Sequence, residues 1–156
     1  MTFGTHINRQ STASRVSLTG GDLIRANLDE AVLRSARLDG ADLVRASLCD
    51  TDASGASFRG ARFLGASLVD TDMRGADLTD AVLDENYFEI IVDDSTAMHG
   101  LTGTVFGPIT VFSGESSREL TDSELETWVA ERGGQVQVIP PYRTPQQSND
   151  PEPTAD

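Results

Sequence analysis

A five-residue rhythm runs without interruption from Val16 to Phe88. Segments such as Ala41-Asp42-Leu43-Val44-Arg45, Ala66-Ser67-Leu68-Val69-Asp70 and Ala76-Asp77-Leu78-Thr79-Asp80 show it most clearly. A Leu or Phe recurs at Leu18, Leu23, Leu28, Leu33, Leu38, Leu43, Leu48, Phe58, Phe63, Leu68, Leu78, Leu83 and Phe88. Two residues before each stands a small residue, nearly always Ala. A helix buries residues with a period of about 3.6, and a simple strand with a period of about 2. Five fits neither. It fits a coil with flat sides, in which each unit makes one short side and a corner. The large residue and the small one then point inward, and the other three point out. A stack of such short strands is a surface for binding and rarely a pocket for chemistry.

The A(D/N)Lxx pattern resembles the pentapeptide-repeat family. The resemblance implies an all-β repeat solenoid, a right-handed quadrilateral β-helix in which four units make one coil and residues twenty apart stack. Departures from the pattern are few: Val16, Gly21, Thr51, Thr71 and Asn86 at the small position, and Ala53 and Met73 at the large one. Ala53 and Met73 are twenty apart, so a small and a long side chain would pack together and conserve volume. The repeats amount to about four coils, and at roughly 4.8 Å per coil the rod is about 19 Å long.

The expected organisation is a lead-in or cap over 1–15, the β-helix over 16–90, a small C-terminal α+β capping unit over 91–139, and a disordered tail over 140–156. Net charge is −13, and all twelve basic residues are Arg. That balance argues against direct binding to nucleic acid or an anionic membrane, both of which need clustered basic residues. It favours basic partners or plain solubility. Cys49 is the only cysteine, so no internal disulfide is possible. An outward free thiol suits a reducing compartment. No secretory signal or membrane-length apolar run is visible, and the expectation is a cytoplasmic protein. Arg without Lys, together with much Ala, Gly and Asp, points to a GC-rich bacterial genome.

Stacking every twentieth residue sorts the outward charges into four sides. The third side, through Leu28, Leu48, Leu68 and Phe88, carries Asp29, Glu30, Asp50, Asp70 and Glu89 and no basic residue. The fourth, through Leu33, Ala53 and Met73, carries Arg34, Asp52, Asp72 and Arg74. Glu30, Asp50 and Asp70 would form one ladder of like charges, and Asp52 and Asp72 a second around the corner. Such stacking is destabilising. Three readings stand: a screened, solvated surface, a contact for a basic partner, or a cation held by Asp50, Asp52, Asp70 and Asp72. No calcium-loop motif is present, so no metal is expected. A second outward row, Ile24, Val44 and Leu64, is apolar. Either the C-terminal segment covers it or a partner does.

After Phe88 the period is lost. Glu89 to Val92 reads as a strand, and Leu101–Phe106 and Ile109–Phe112 as two strands around a hairpin-like turn at Gly107-Pro108. Thr121-Asp122-Ser123-Glu124 is a capping box for a helix, with Leu120 and Leu125 placed as a hydrophobic staple. Leu125, Trp128 and Val129 form its apolar stripe, Gly133 suits its end, and Val136–Ile139 reads as a final strand.

Catalytic motifs are missing: the chain has no HExxH, GxSxG or CxxC, and His6 and His99 stand outside the repeats. The expected function is a non-catalytic protein-interaction scaffold with an acidic face and no cofactor. At its most specific, the family resemblance implies a mimic of duplex DNA that binds DNA gyrase, giving quinolone resistance or self-protection. A rod this short would need end-to-end pairing as a homodimer to reach DNA length. The alternative is a generic interaction or immunity module whose C-terminal unit binds the partner.

Overall fold

The computed structural model describes residues 15–140. The expected ends, a lead-in cap over 1–15 and a tail over 140–156, lie almost wholly outside the described residues. Inward positions are buried as the rhythm requires: Leu28, Leu33, Leu38, Leu43, Leu48, Phe58, Phe63, Leu68 and Leu78 all have no exposed surface. Ala53 and Met73 are equally buried. Phe58 and Phe63 meet across the core with ring centres 5.4 Å apart.

Residues twenty apart pair in parallel and build four ladders. The first runs Ser17, Arg37, Ser57, Asp77, Ala97, the second Asp22, Asp42, Arg62, the third Asn27, Ser47, Ser67, Tyr87, and the fourth Val32, Asp52, Asp72. The corners between them are closed turns. At most corners the N–H of the small residue donates to the carbonyl of the large residue three before it, as in Ala26 to Leu23 at 3.0 Å and Ala41 to Leu38 at 3.1 Å. The residue before each small one takes a positive φ, 58° at Arg25, 56° at Asp50 and 64° at Gly60. That conformation costs a non-glycine residue roughly 1–2 kcal/mol, which the ladder on either side sustains.

The Asp or Asn of the repeat has a local task. Its side-chain oxygen accepts the N–H two residues on, inside the corner: Asp22 from Ile24 at 3.2 Å, Asn27 from Asp29 at 2.9 Å, Asp72 from Arg74 at 3.1 Å and Asp77 from Thr79 at 2.9 Å. These short side chains are favoured in turns for this reason. Polar residues at the small position are also satisfied. Thr51, Thr71 and Thr96 donate to the carbonyls of Leu28, Leu48 and Met73, at 2.7, 2.7 and 3.0 Å. Each donor lies twenty-three residues after its acceptor, so one geometry serves all three.

The ladders continue past Phe88. The named strands are β1 (Arg62–Leu64), β2 (Thr71–Asp72), β3 (Val82–Tyr87), β4 (Ile90–Asp93), β5 (Thr102–Phe106), β6 (Ile109–Ser113), β7 (Ser116–Leu120) and β8 (Gln135–Val138), with one helix, α1 (Asp122–Ala130), before β8. One sheet has the order β1-β3-β5-β8, the other β2-β4-β6-β7, and only β6–β7 is antiparallel. Together they make a β-helix solenoid, mostly sheet with one short helix. Pairing crosses residue 90, where a separate strand-helix-strand unit was expected to begin. β4, β5, β6 and β8 are further rungs. The rhythm disappears because corners shorten: Thr71 pairs with Ile90 and Tyr87 with Phe106, nineteen residues apart. Inward positions pass to Ile90, Val92, Met98, Leu101, Val105, Ile109 and Val111, all buried.

Two local expectations are corrected. Gly107-Pro108 is no hairpin: β5 and β6 lie in different sheets, so it is a corner. The capping box does not close either. Thr121 is the N-cap, but its side chain makes no cap bond, and the N–H of Glu124 is met by the Thr121 backbone carbonyl at 3.0 Å. The buried stripe of Leu125, Trp128 and Val129 is as expected. Gly133, at φ +82°, leaves room for His99, whose Nδ1 would lie 2.6 Å from any Cβ there. β7 has no counterpart in the sequence reading. It returns on β6 through the two-residue turn Gly114-Glu115.

Two predictions test the corners. Gly60 has φ +64° and open space where a Cβ would sit, so Gly60→Ala isolates backbone strain. It should cost about 1 kcal/mol in denaturant unfolding, and no loss would refute strain at the corner. The second concerns acid. Asp39 is held below the ordinary aspartate value of 3.8 chiefly by the Ser57 hydroxyl. At Asp77 and Asp93 burial pushes the other way but is outweighed, by Thr79 and Arg59 at the first and by Ser95, the Gly75 N–H and Thr96 at the second. Depressed values mean stability that is complete above 3.8 and lost as pH falls through the folded values. Asp77→Asn keeps a corner acceptor and removes the charge. Its melting temperature should therefore fall less steeply than the wild type's as pH drops towards about 3.

Candidate protein-interaction face

The third ladder places an acidic row in fixed register. Glu30, Asp50 and Asp70 occupy successive corners with φ of 59°, 56° and 54°. Their N–H groups donate to Cys49, Val69 and Glu89 carbonyls of the next coil at 2.8, 3.0 and 2.9 Å. All three side chains are exposed. Asp29 lies beside the row and is held by the following coil: its Oδ1 accepts from the Ser47 hydroxyl at 2.5 Å and the Cys49 N–H at 2.9 Å. After Asp70 the corner is one residue shorter, and the row passes to half-buried Glu89.

Asp52 and Asp72, also expected as candidates, lie on the adjoining side and pair with arginine. Arg34 meets Asp52 at 2.5 Å and Arg74 meets Asp72 at 2.6 Å. Burial raises the Asp52 carboxyl, but the Ser54 and Arg34 hydrogen bonds outweigh it and hold the group below its usual range. Arg59–Asp77 and Arg62–Asp42 pairs, at 3.0 and 2.8 Å, neutralise the first and second sides in the same way. Exposed pairs like these contribute only about 0–1 kcal/mol each. Their larger effect is on charge distribution, because among the described residues none of these arginines pairs with a carboxylate of the third side. Among the described residues no group of three His, Cys, Asp or Glu is placed to hold a metal ion.

Among the described residues the apolar row is open. Ile24 is 43% exposed, and Val44 and Leu64 are half-buried by stacking. It stops where Leu64 pairs with Asp84. β8 joins the end of this sheet beside β5 and does not fold back over the row.

Sequence reasoning missed two residues of the acidic side. Tyr87 pairs with Ser67, and Phe106 with Tyr87, so both rings project from the third ladder. Counting by twenties would have found Tyr87. Phe106 was hidden by the shortened corner. No helix among the described residues is long and apolar enough to cross a membrane.

Residues 14–48 and 41–80 match the family model for pentapeptide repeats, in eight copies. No curated protein sequence matches the chain. Among solved structures, HetL is a pentapeptide repeat protein involved in heterocyst differentiation regulation in the cyanobacterium Nostoc sp. strain PCC 7120. It is 22% identical over 60% of this chain and 49% of its own, with a TM-score of 0.45. The pentapeptide repeat protein Rfr23 from the cyanobacterium Cyanothece 51142 is 28% identical over 53% of this chain and 57% of its own, with a TM-score of 0.47. QnrB1, a plasmid-mediated fluoroquinolone resistance protein, is 20% identical over 60% of this chain and 59% of its own, with a TM-score of 0.28. The chain thus spans only about half the length of the first two. Over residues 14–80 the chain is similar to the pentapeptide-repeat family.

Proposed function

We propose that the chain is a non-catalytic interaction scaffold whose third side docks a basic protein surface, and that it does so as a mimic of duplex DNA towards DNA gyrase. The observation that carries this reading is the placement of the arginines, which among the described residues pair with aspartates on the other three sides and make no ion pair with Asp29, Asp50, Asp70 or Glu89. These four carboxylates are spread over about three coil steps of roughly 4.8 Å. That is roughly one charge per 3.6 Å, close to the one per 3.4 Å of a single DNA strand. The second sheet direction has six rungs, from Asp22 to Gln135, so the rod is about 24 Å long and matches only about seven base pairs. Two copies joined end to end would present a longer mimic.

The C-terminal residues fit the role of a cap. The α1 stripe of Leu125, Trp128 and Val129 is buried, and Glu126 accepts the β8 N–H of Val138 at 2.8 Å. Because β8 is a rung of the sheet, charge variants test the acidic side more cleanly than truncation does. In a supercoiling assay with purified gyrase, the wild type should inhibit the enzyme or protect it from a quinolone. The triple variant Asp50→Asn, Asp70→Asn, Glu89→Gln should lose most of that effect. No effect of the wild type at high micromolar concentration would remove gyrase as the partner.

A further inference from the structure

Along the third ladder the outward residue changes from Asn27, Ser47 and Ser67 to Tyr87 and Phe106. The two rings lie 5.3 Å apart at an angle of 33°. Tyr87 is 56% exposed, a large ring area open to solvent on the sheet face formed by β3 and β5. Carboxylates bracket it two residues away on either side, exposed Glu85 and half-buried Glu89. An aromatic face attracts a cation, and neighbouring negative charge adds to the attraction. The chain's own arginines use this chemistry elsewhere. The Arg74 guanidinium lies 5.3 Å from the centre of the Phe112 ring, and that of Arg132 lies 3.6 Å from Trp128. Tyr87 has no such cover among the described residues.

We propose that Tyr87, backed by Phe106, seats an arginine side chain of the protein that docks on the acidic side. This rests on the reading of that side given above and adds the chemical anchor. The planar guanidinium stacks on a ring and keeps its edge free to bond a carboxylate, which the compact lysine ammonium does less well. Tyrosine with an arginine partner is also the usual make-up of an interface hot spot. Serine and asparagine on the earlier rungs offer no such ring, so the anchor sits at the C-terminal end of the acidic row.

The test uses a short oligoarginine peptide and an oligolysine of equal length, with affinity read by fluorescence anisotropy. Tyr87→Leu should weaken oligoarginine binding about fivefold, Tyr87→Phe should bind as the wild type does, and oligolysine should respond less. An unchanged oligoarginine affinity in Tyr87→Leu overturns the proposal. The acidic side is tested separately. Asp50→Asn, Asp70→Asn, Glu89→Gln is compared with Glu115→Gln, Glu119→Gln, Glu124→Gln, which removes equal charge from the turn, β7 and α1. If the two triple variants weaken binding equally, the acidic side is not the contact and both readings fall. If only the first weakens binding while Tyr87→Leu does not, the arginine seat fails alone. A dimer in solution that Tyr87→Asp dissolves would assign the rings to a second copy and overturn the proposal.

Discussion

The backbone ladder between coils is the constraint on which the rest depends. Once Ser17 pairs with Arg37 and Asn27 with Ser47, every later side chain inherits a fixed row. Backbone groups on each short side are satisfied by the coils above and below, so a side of about three residues persists that would be too short to be a stable strand alone. Core polarity follows the same logic. Thr51 and Thr71 are tolerated at full burial because the preceding coil presents a carbonyl at the right height. A buried hydroxyl without that acceptor would cost about 1–3 kcal/mol.

Where the ladder was legible in the sequence, it was legible for a physical reason. From Val16 to Phe88 one residue class fills nearly every inward position, so the period shows directly. Beyond it the geometry persists but its signal does not. One corner residue fewer at two places moves the register, and the large Ile90 and Val105 stand in register with Thr71 and Asn86 of the small position. Isolated strands were still recognised, but their pairing was not, and Gly107-Pro108 looked like a hairpin because a corner and a hairpin use the same residues. β7 escaped because Ser116–Glu119 are polar and exposed, although the Gly114 turn was a usable sign.

The acidic side was readable by counting alone, since charge and register suffice to place Glu30, Asp50 and Asp70. Neutralisation of Asp52 and Asp72 was not. Arg74 pairs within its own corner, while Arg34 reaches an aspartate eighteen residues on, and which of these an arginine does depends on its side-chain path. Composition could place arginine on a side but not say which carboxylates it would cancel.

Asp50 and Asp70 bear two costs at one position. Each takes the left-handed corner conformation at roughly 1–2 kcal/mol, which Gly40, Gly60 and Gly75 avoid at equivalent corners. Each also sits one coil from a like charge, which at roughly 4.8 Å and the permittivity of water repels by up to about 1 kcal/mol before salt screens it. Local hydrogen bonding eases the first cost for a short Asp side chain, though it leaves the repulsion untouched. Glycine would relieve both. The left-handed cost is not peculiar to this side, since Arg25, Ser35, Arg45 and Asp80 take the same conformation at other corners. On the proposed reading, a basic partner seated on this side would cancel the repulsion that the backbone register imposes on these carboxylates.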